Sequence, residues 1–82
     1  MRLLQVQARS NEEVDCLIRE LAVYAPRRSR RSILIELKGR SEAEVLGLLA
    51  AVETCLSAND IPNVRIELDG TSYVMEPRRV DR

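Results

Sequence analysis

Residues 2–8, RLLQVQA, alternate between two sides. Leu4, Val6 and Ala8 fall on one, and Leu3, Gln5 and Gln7 on the other. A period of two predicts a half-buried strand. The period then changes. Ser10-Asn11-Glu12-Glu13 reads as a capping box, with Ser at the N-cap and Glu three residues on. Val14, Leu17, Ile18 and Leu21 follow at helical spacing. This first helix is expected to reach about Tyr24, because the residue before Pro26 is steered out of helical geometry. Residues 26–32, PRRSRRS, read as a polar connection. Ile33, Ile35 and Leu37 then alternate with Leu34, Glu36 and Lys38, which predicts a second strand. Gly39-Arg40 turns the chain, and Ser41 with Glu44 forms another capping box. Val45, Leu48, Leu49, Val52 and Leu56 line one stripe of a second helix, with Asn59 as its expected C-terminal cap and Pro62 beyond. Residues 64–68 and 71–76 form two strands around Asp69-Gly70, the strong signal of a two-residue type I′ hairpin. The implied register sets Leu68 against Thr71, Ile66 against Tyr73 and Val64 against Met75, all six on the apolar side.

The predicted order is βαβαββ. Every strand alternates, so one face of the sheet is covered and both helices lie on it. Right-handed crossovers restrict the strand order to 1-2-3-4 or 1-2-4-3. The second is preferred, because it leaves the third strand, with Pro62, Arg65 and Glu67, at an edge where such residues blunt pairing. The expected fold is therefore α/β: a two-layer sandwich with a four-stranded mixed sheet. Residues 1–77 form a single domain, and 78–82 a flexible C-terminal tail. This topology gathers Arg2, Arg27, Arg28, Arg30, Arg31, Arg78 and Arg79 at one end of the sheet.

Composition adds exclusions. The 82 residues lack His, Trp and Phe. That removes an imidazole base, a histidine metal ligand and an aromatic stacking platform. Thirteen basic and thirteen acidic residues cancel to a net charge of zero. The zero hides a polarity. Residues 27–40 carry six positive charges and one negative, whereas residues 41–77 carry one positive and seven negative. Cys16 and Cys55 stand in no metal-like spacing and read as free thiols of a reducing compartment. No run approaches the roughly 18–20 apolar residues of a membrane span. The opening residues are too polar for a signal peptide. The chain reads as cytoplasmic, with no membrane partner.

Three constellations carry candidate chemistry. Arg27, Arg28, Arg30, Arg31, Arg78 and Arg79 form a basic edge suited to nucleic-acid phosphates, though arginines at helix C-termini also complement the helix dipole. Gly39, Arg40 and Ser41 open the second helix and offer free N–H groups and a guanidinium to an anion, with Glu42 and Glu44 competing for the same dipole end. Leu46, Ala50 and Ala51 widen the apolar arc of the second helix beyond what a sheet requires. Gly47 costs about 1 kcal/mol against Ala and suggests close approach by another backbone. Leu46, Gly47 and Ala50 are thus self-association candidates. No carboxylate stands in a recognisable acid–base motif, and Ser or Cys nucleophiles would lack a histidine. The chain reads as a non-enzyme without a cofactor or metal.

The βαβαββ order resembles the Alba family of chromatin and RNA-binding proteins and the C-terminal domain of translation initiation factor three. The segment ILIELKGRSEAEVLGLLAAVE is similar to the Alba strand–Gly-Arg–helix stretch, with Gly39-Arg40 at the dipeptide. The resemblance implies nucleic-acid binding. The lysine-rich helix start and the basic hairpin arm of that family are replaced here by Arg9-Ser10-Asn11 and by Asp69-Gly70. Sulfur-carrier proteins share the strand order but need Cys-Pro where this chain has Ser10-Asn11. The leading expectation is a protein-interaction or self-assembly module, a homodimer among its forms. The alternative is a nucleic-acid backbone binder.

Overall fold

The computed structural model describes residues 2–77. The chain builds β1 (Leu3–Gln7), α1 (Asn11–Glu20), a 3₁₀ turn (Ala22–Tyr24), β2 (Arg27–Ser29), β3 (Ser32–Glu36), α2 (Glu42–Ala58), β4 (Val64–Leu68) and β5 (Thr71–Met75). The sheet order is β2-β3-β1-β4-β5. Every neighbouring pair is antiparallel.

The mixed α/β class with two helices stands, but the four-stranded mixed sheet of order 1-2-4-3 does not. One missed reversal explains the difference. Arg27–Ser29 was expected to be connection and is instead a strand, paired with β3 around an Arg30-Arg31 turn. Nothing in RRSRR alternates, and all three β2 residues are exposed. The extra reversal turns β3 antiparallel to β1. The crossovers β1-α1-β2 and β3-α2-β4 each skip one strand, the split β-α-β arrangement. β1 therefore lies at the centre of the sheet, not at an edge.

Alternation still decides which face is covered. Leu4, Val6, Ile33, Ile35, Val64 and Ile66 are fully or almost fully buried. They meet Val14, Leu17 and Leu21 beneath α1 and Val45, Leu48, Val52 and Leu56 of α2. α1 covers β2 and β3 and touches α2. The other sheet face carries Gln5, Gln7, Arg65 and Glu67 and is left open by the described residues.

Local signals set the element ends. The Ser10 hydroxyl accepts from the Glu13 N–H at 3.3 Å, and Glu13 reaches back to the Arg9 N–H at 3.1 Å. α1 ends at Glu20, four residues short of Tyr24, because the chain tightens into the 3₁₀ turn and then enters the left-handed region at Ala25 (φ 55°). Ser41 and Glu44 complete a reciprocal capping box on α2, and Asn59 caps its other end through the Cys55 carbonyl at 3.1 Å. Asp69 (φ 51°) and Gly70 (φ 82°) both take the positive φ that a type I′ turn requires. The β4–β5 register is the expected one.

Antiparallel pairing also sorts the ends of the molecule. At one end the Ala8 N–H donates to the Arg31 carbonyl at 2.8 Å; at the other the Leu37 N–H donates to the Arg2 carbonyl at 3.1 Å. Among the described residues, no helix is long and apolar enough to cross a membrane.

Candidate interaction surfaces

The expected basic edge is divided. Arg27 lies on the open face, 3.4 Å from Glu36. Arg28 turns to the helix layer, where its guanidinium bonds Asp15 and, at 2.9 Å, Asn11. Arg2 sits at the far end of the sheet and pairs with Asp69 at 3.1 Å. Arg30 and Arg31 form the β2–β3 turn alone. Arg78, Arg79 and the expected tail over 78–82 lie outside the described residues.

The β2–β3 turn has neighbours that sequence reasoning placed elsewhere. Arg9 follows β1 and Arg65 lies in β4, both at the end occupied by Arg30-Arg31. Sequence separation conceals this grouping, and only the antiparallel β1–β3 and β1–β4 ladders assemble it. One shallow depression is lined by Gln5, Gln7, Ser29, Arg30, Arg31 and Ser32. A second is lined by Gln7, Arg9, Asn63, Arg65 and Val74, among others. Gln7 belongs to both.

Gly39, Arg40 and Ser41 do meet at the start of α2, but their polar groups are engaged. The Ser41 N–H donates to Glu44 and the Glu44 N–H to Ser41. The Arg40 guanidinium donates to the Glu36 and Tyr24 carbonyls at 3.1 Å each, approaches Glu44 at 3.8 Å and stacks 5.3 Å from the centre of the Tyr24 ring. Arg40 therefore staples the 3₁₀ turn to the β3–α2 corner. An anion here would have to displace Glu44, which is already in place at no association cost.

Leu46, Gly47 and Ala50 are exposed on the outer side of α2, with Leu46 61% accessible. Gly47 is exposed and packs against no other backbone of this chain. A Cβ there would meet only the Tyr24 hydroxyl, at an ordinary 3.8 Å. Tyr24 follows α1, so this flank of α2 faces α1. At 100° per residue, Leu46 and Leu49 fall on the opposite flank, away from α1.

Among the described residues the sheet has two free edges, and they differ in kind. β2 is three residues long and carries Arg27 and Arg28. β5, Thr-Ser-Tyr-Val-Met, has no charge and is exposed for four of its five residues. Tyr73, expected to face the core, overhangs it at 38% accessibility, and Val74 on the open face reaches 59%. A two-residue I′ hairpin closes on a hydrogen-bonded pair, here Leu68 and Thr71. Alternation then turns the backbone groups of Thr71, Tyr73 and Met75 toward β4, and those of Ser72 and Val74 outward along the free edge.

The thiols sit between the helices. Cys55 is buried and Cys16 half-buried. Burial first, and then the Glu20 carboxylate, push the Cys55 thiol above its ordinary pKa, against the opposing hydrogen bond from Asn59. No group of three or more metal-ligating side chains occurs among the described residues. No family model, curated protein or solved structure matches this chain.

Proposed function

We propose that this protein is a non-enzymatic interaction module that assembles with a second copy of itself through β5. The reading is carried by the contrast between the two sheet edges. An unpaired strand edge is a template for another strand, and proteins blunt edges they do not use with charge, shortness or proline. β2 carries the first two devices; β5 carries neither. Its sequence also suits two-fold pairing. Centred on Tyr73, an antiparallel β5–β5′ ladder sets Ser72 against Val74 of the second copy and Tyr73 against its own counterpart. Ser72 and Val74 are the residues whose backbone groups point outward, so they form the hydrogen-bonded pairs on either side of the tyrosines. The two-fold axis makes the interface isologous and closed. The result is a ten-stranded sheet with all helices on one side and the two Tyr73 rings over the joint.

The interface is modest. Five residues of strand edge and two tyrosines bury on the order of 1,000 Å² in total, near the lower limit of specific interfaces. The dimer is weak and concentration-dependent. Because residue 73 opposes itself, like charges there repel and unlike charges attract. Tyr73→Lys and Tyr73→Glu are each expected to be monomeric by light scattering at concentrations where the parent chain dimerises. Their equimolar mixture is expected to recover a heterodimer. A parent chain that stays monomeric at millimolar concentration, or a Tyr73→Lys variant that dimerises like the parent, overturns the proposal.

A further inference from the structure

We infer that the corner formed by Arg9, Arg30, Arg31 and Arg65 on the open sheet face binds the phosphate backbone of single-stranded nucleic acid. Its four arginines lie outside β5, although the surface reaches β5 at Val74, and its test reads oligonucleotide binding and not assembly.

Four observations support it. First, the two shallow depressions adjoin at Gln7, which lines both, and together trace a shallow trough across the strands. The trough follows the row Ser29, Ser32, Gln7, Arg65, Val74, which the strand registers place side by side. Strands spaced about 4.8 Å apart put the Arg30-Arg31 turn and Arg65 roughly 10 Å from each other, on either side of β1. Second, these cations are available. Arg27, Arg28, Arg2 and Arg40 have acidic partners, whereas Arg30, Arg31 and Arg65 have no ion pair among the described residues. The Arg9 guanidinium donates to the neutral Asn63 side chain at 3.2 Å, while its backbone N–H holds the Glu13 carboxylate at 3.1 Å. Glu67, the acid one row further along the face, accepts from Ser72 at 3.4 Å.

Third, Arg30 holds φ 59° at the turn. Left-handed backbone costs a non-glycine L-residue about 1–2 kcal/mol. Glycine or asparagine would occupy this position more cheaply, yet an arginine stands there and projects a guanidinium from the tip. Fourth, the trough is floored by Gln5, Gln7 and Ser32, neutral groups able to donate and accept hydrogen bonds. Among the described residues the face carries no aromatic ring. Recognition therefore runs through phosphates and amides without base stacking, and it tolerates sequence. A shallow trough crossing a sheet accepts one extended strand, while a duplex groove needs a protruding element to enter it.

Labelled oligouridylate and oligothymidylate, titrated by fluorescence anisotropy against the full chain, test the site. Four phosphate contacts to a single strand give a log–log salt slope of about −2.8, or roughly 50-fold weaker binding at 200 mM than at 50 mM salt. Arg30→Ala/Arg31→Ala/Arg65→Ala is expected to weaken binding at least tenfold at 50 mM. Lysine at the same three positions is expected to keep it within threefold. Arg27→Ala/Arg28→Ala is expected to change it less than twofold. No binding at 50 mM salt overturns the inference. So does a triple-alanine variant that binds like the parent while its circular dichroism is unchanged. Displacement of the oligonucleotide by oligoglutamate at equal charge concentration also overturns it, because the corner would then be reading acidic protein.

Discussion

Arg28→Ala removes the side chain that holds the edge strand β2 against α1. The side chain bonds Asp15 through one terminal nitrogen and Asn11 through the other. It thereby ties the edge strand β2 to the first turns of α1. The ion pair is screened, since Arg28 and Asp15 remain 39% and 65% accessible. Exposed pairs of this kind contribute about 0.2–1 kcal/mol. The Asn11 bond adds a contribution of about 0.5–1.5 kcal/mol before side-chain entropy is subtracted. A net loss of about 1 kcal/mol is expected, which lowers Tm by roughly 4–8 °C in a domain of this size. Thermal unfolding by circular dichroism resolves that shift. A double-mutant cycle with Asp15→Ala isolates the pair, with an expected coupling of about 0.5 kcal/mol. If Arg28→Ala unfolds with the parent chain, or the cycle returns no coupling, β2 is not docked on α1 through this residue. The separation of the arginines into paired and available sets would then fail as well.

Other consequences are equally specific. Gly47→Ala is expected to stabilise the fold by up to about 1 kcal/mol, because helix propensity is regained and the new methyl finds only the Tyr24 hydroxyl at 3.8 Å; urea midpoints check this, and a destabilised variant would indicate hidden crowding. Cys16 is expected to react with a thiol reagent well before Cys55 in the native chain, since burial and Glu20 disfavour the Cys55 thiolate; mass spectrometry after brief alkylation reads the order. The raised Cys55 value also sets a sign. The unfolded thiol ionises first, so the Cys55 contribution to stability is complete below the ordinary pKa of about 8.5 and is lost as pH rises through that value toward the folded one. Cys55→Ala is expected to remove that part of the alkaline slope in pH-dependent unfolding.

Much of the fold was legible because it follows from strong local chemistry. Asp69-Gly70 specified both the turn and the β4–β5 register, since few dipeptides tolerate two positive φ angles in succession. The Ser10 and Ser41 caps located both helix starts, and alternation separated the covered face from the open one. β2 was not legible. Its strand character comes from pairing with β3 and from Arg28 reaching α1, both long-range facts, while Arg-Arg-Ser-Arg-Arg carries no period of its own. That single omission propagated. It reversed the sense of β3, moved β1 from an edge to the centre, and put Arg2 at the same end as Arg30 and Arg31, whereas the two lie at opposite ends. The Arg9–Arg30–Arg31–Arg65 corner and the neutrality of the β5 edge therefore emerged only with the topology, although each residue was visible from the start.

The most direct test of the assembly surface is hydrogen exchange at two amides. The N–H groups of Ser72 and Val74 point outward along the free edge of β5, whereas that of Tyr73 points to β4. Residue-resolved exchange is measured at high and low protein concentration. Self-pairing predicts that Ser72 and Val74 exchange slowly in the concentrated sample and fast on dilution, with Tyr73 protected in both. Equal and rapid exchange of Ser72 and Val74 at both concentrations would show that the edge stays open to water, and would contradict the account.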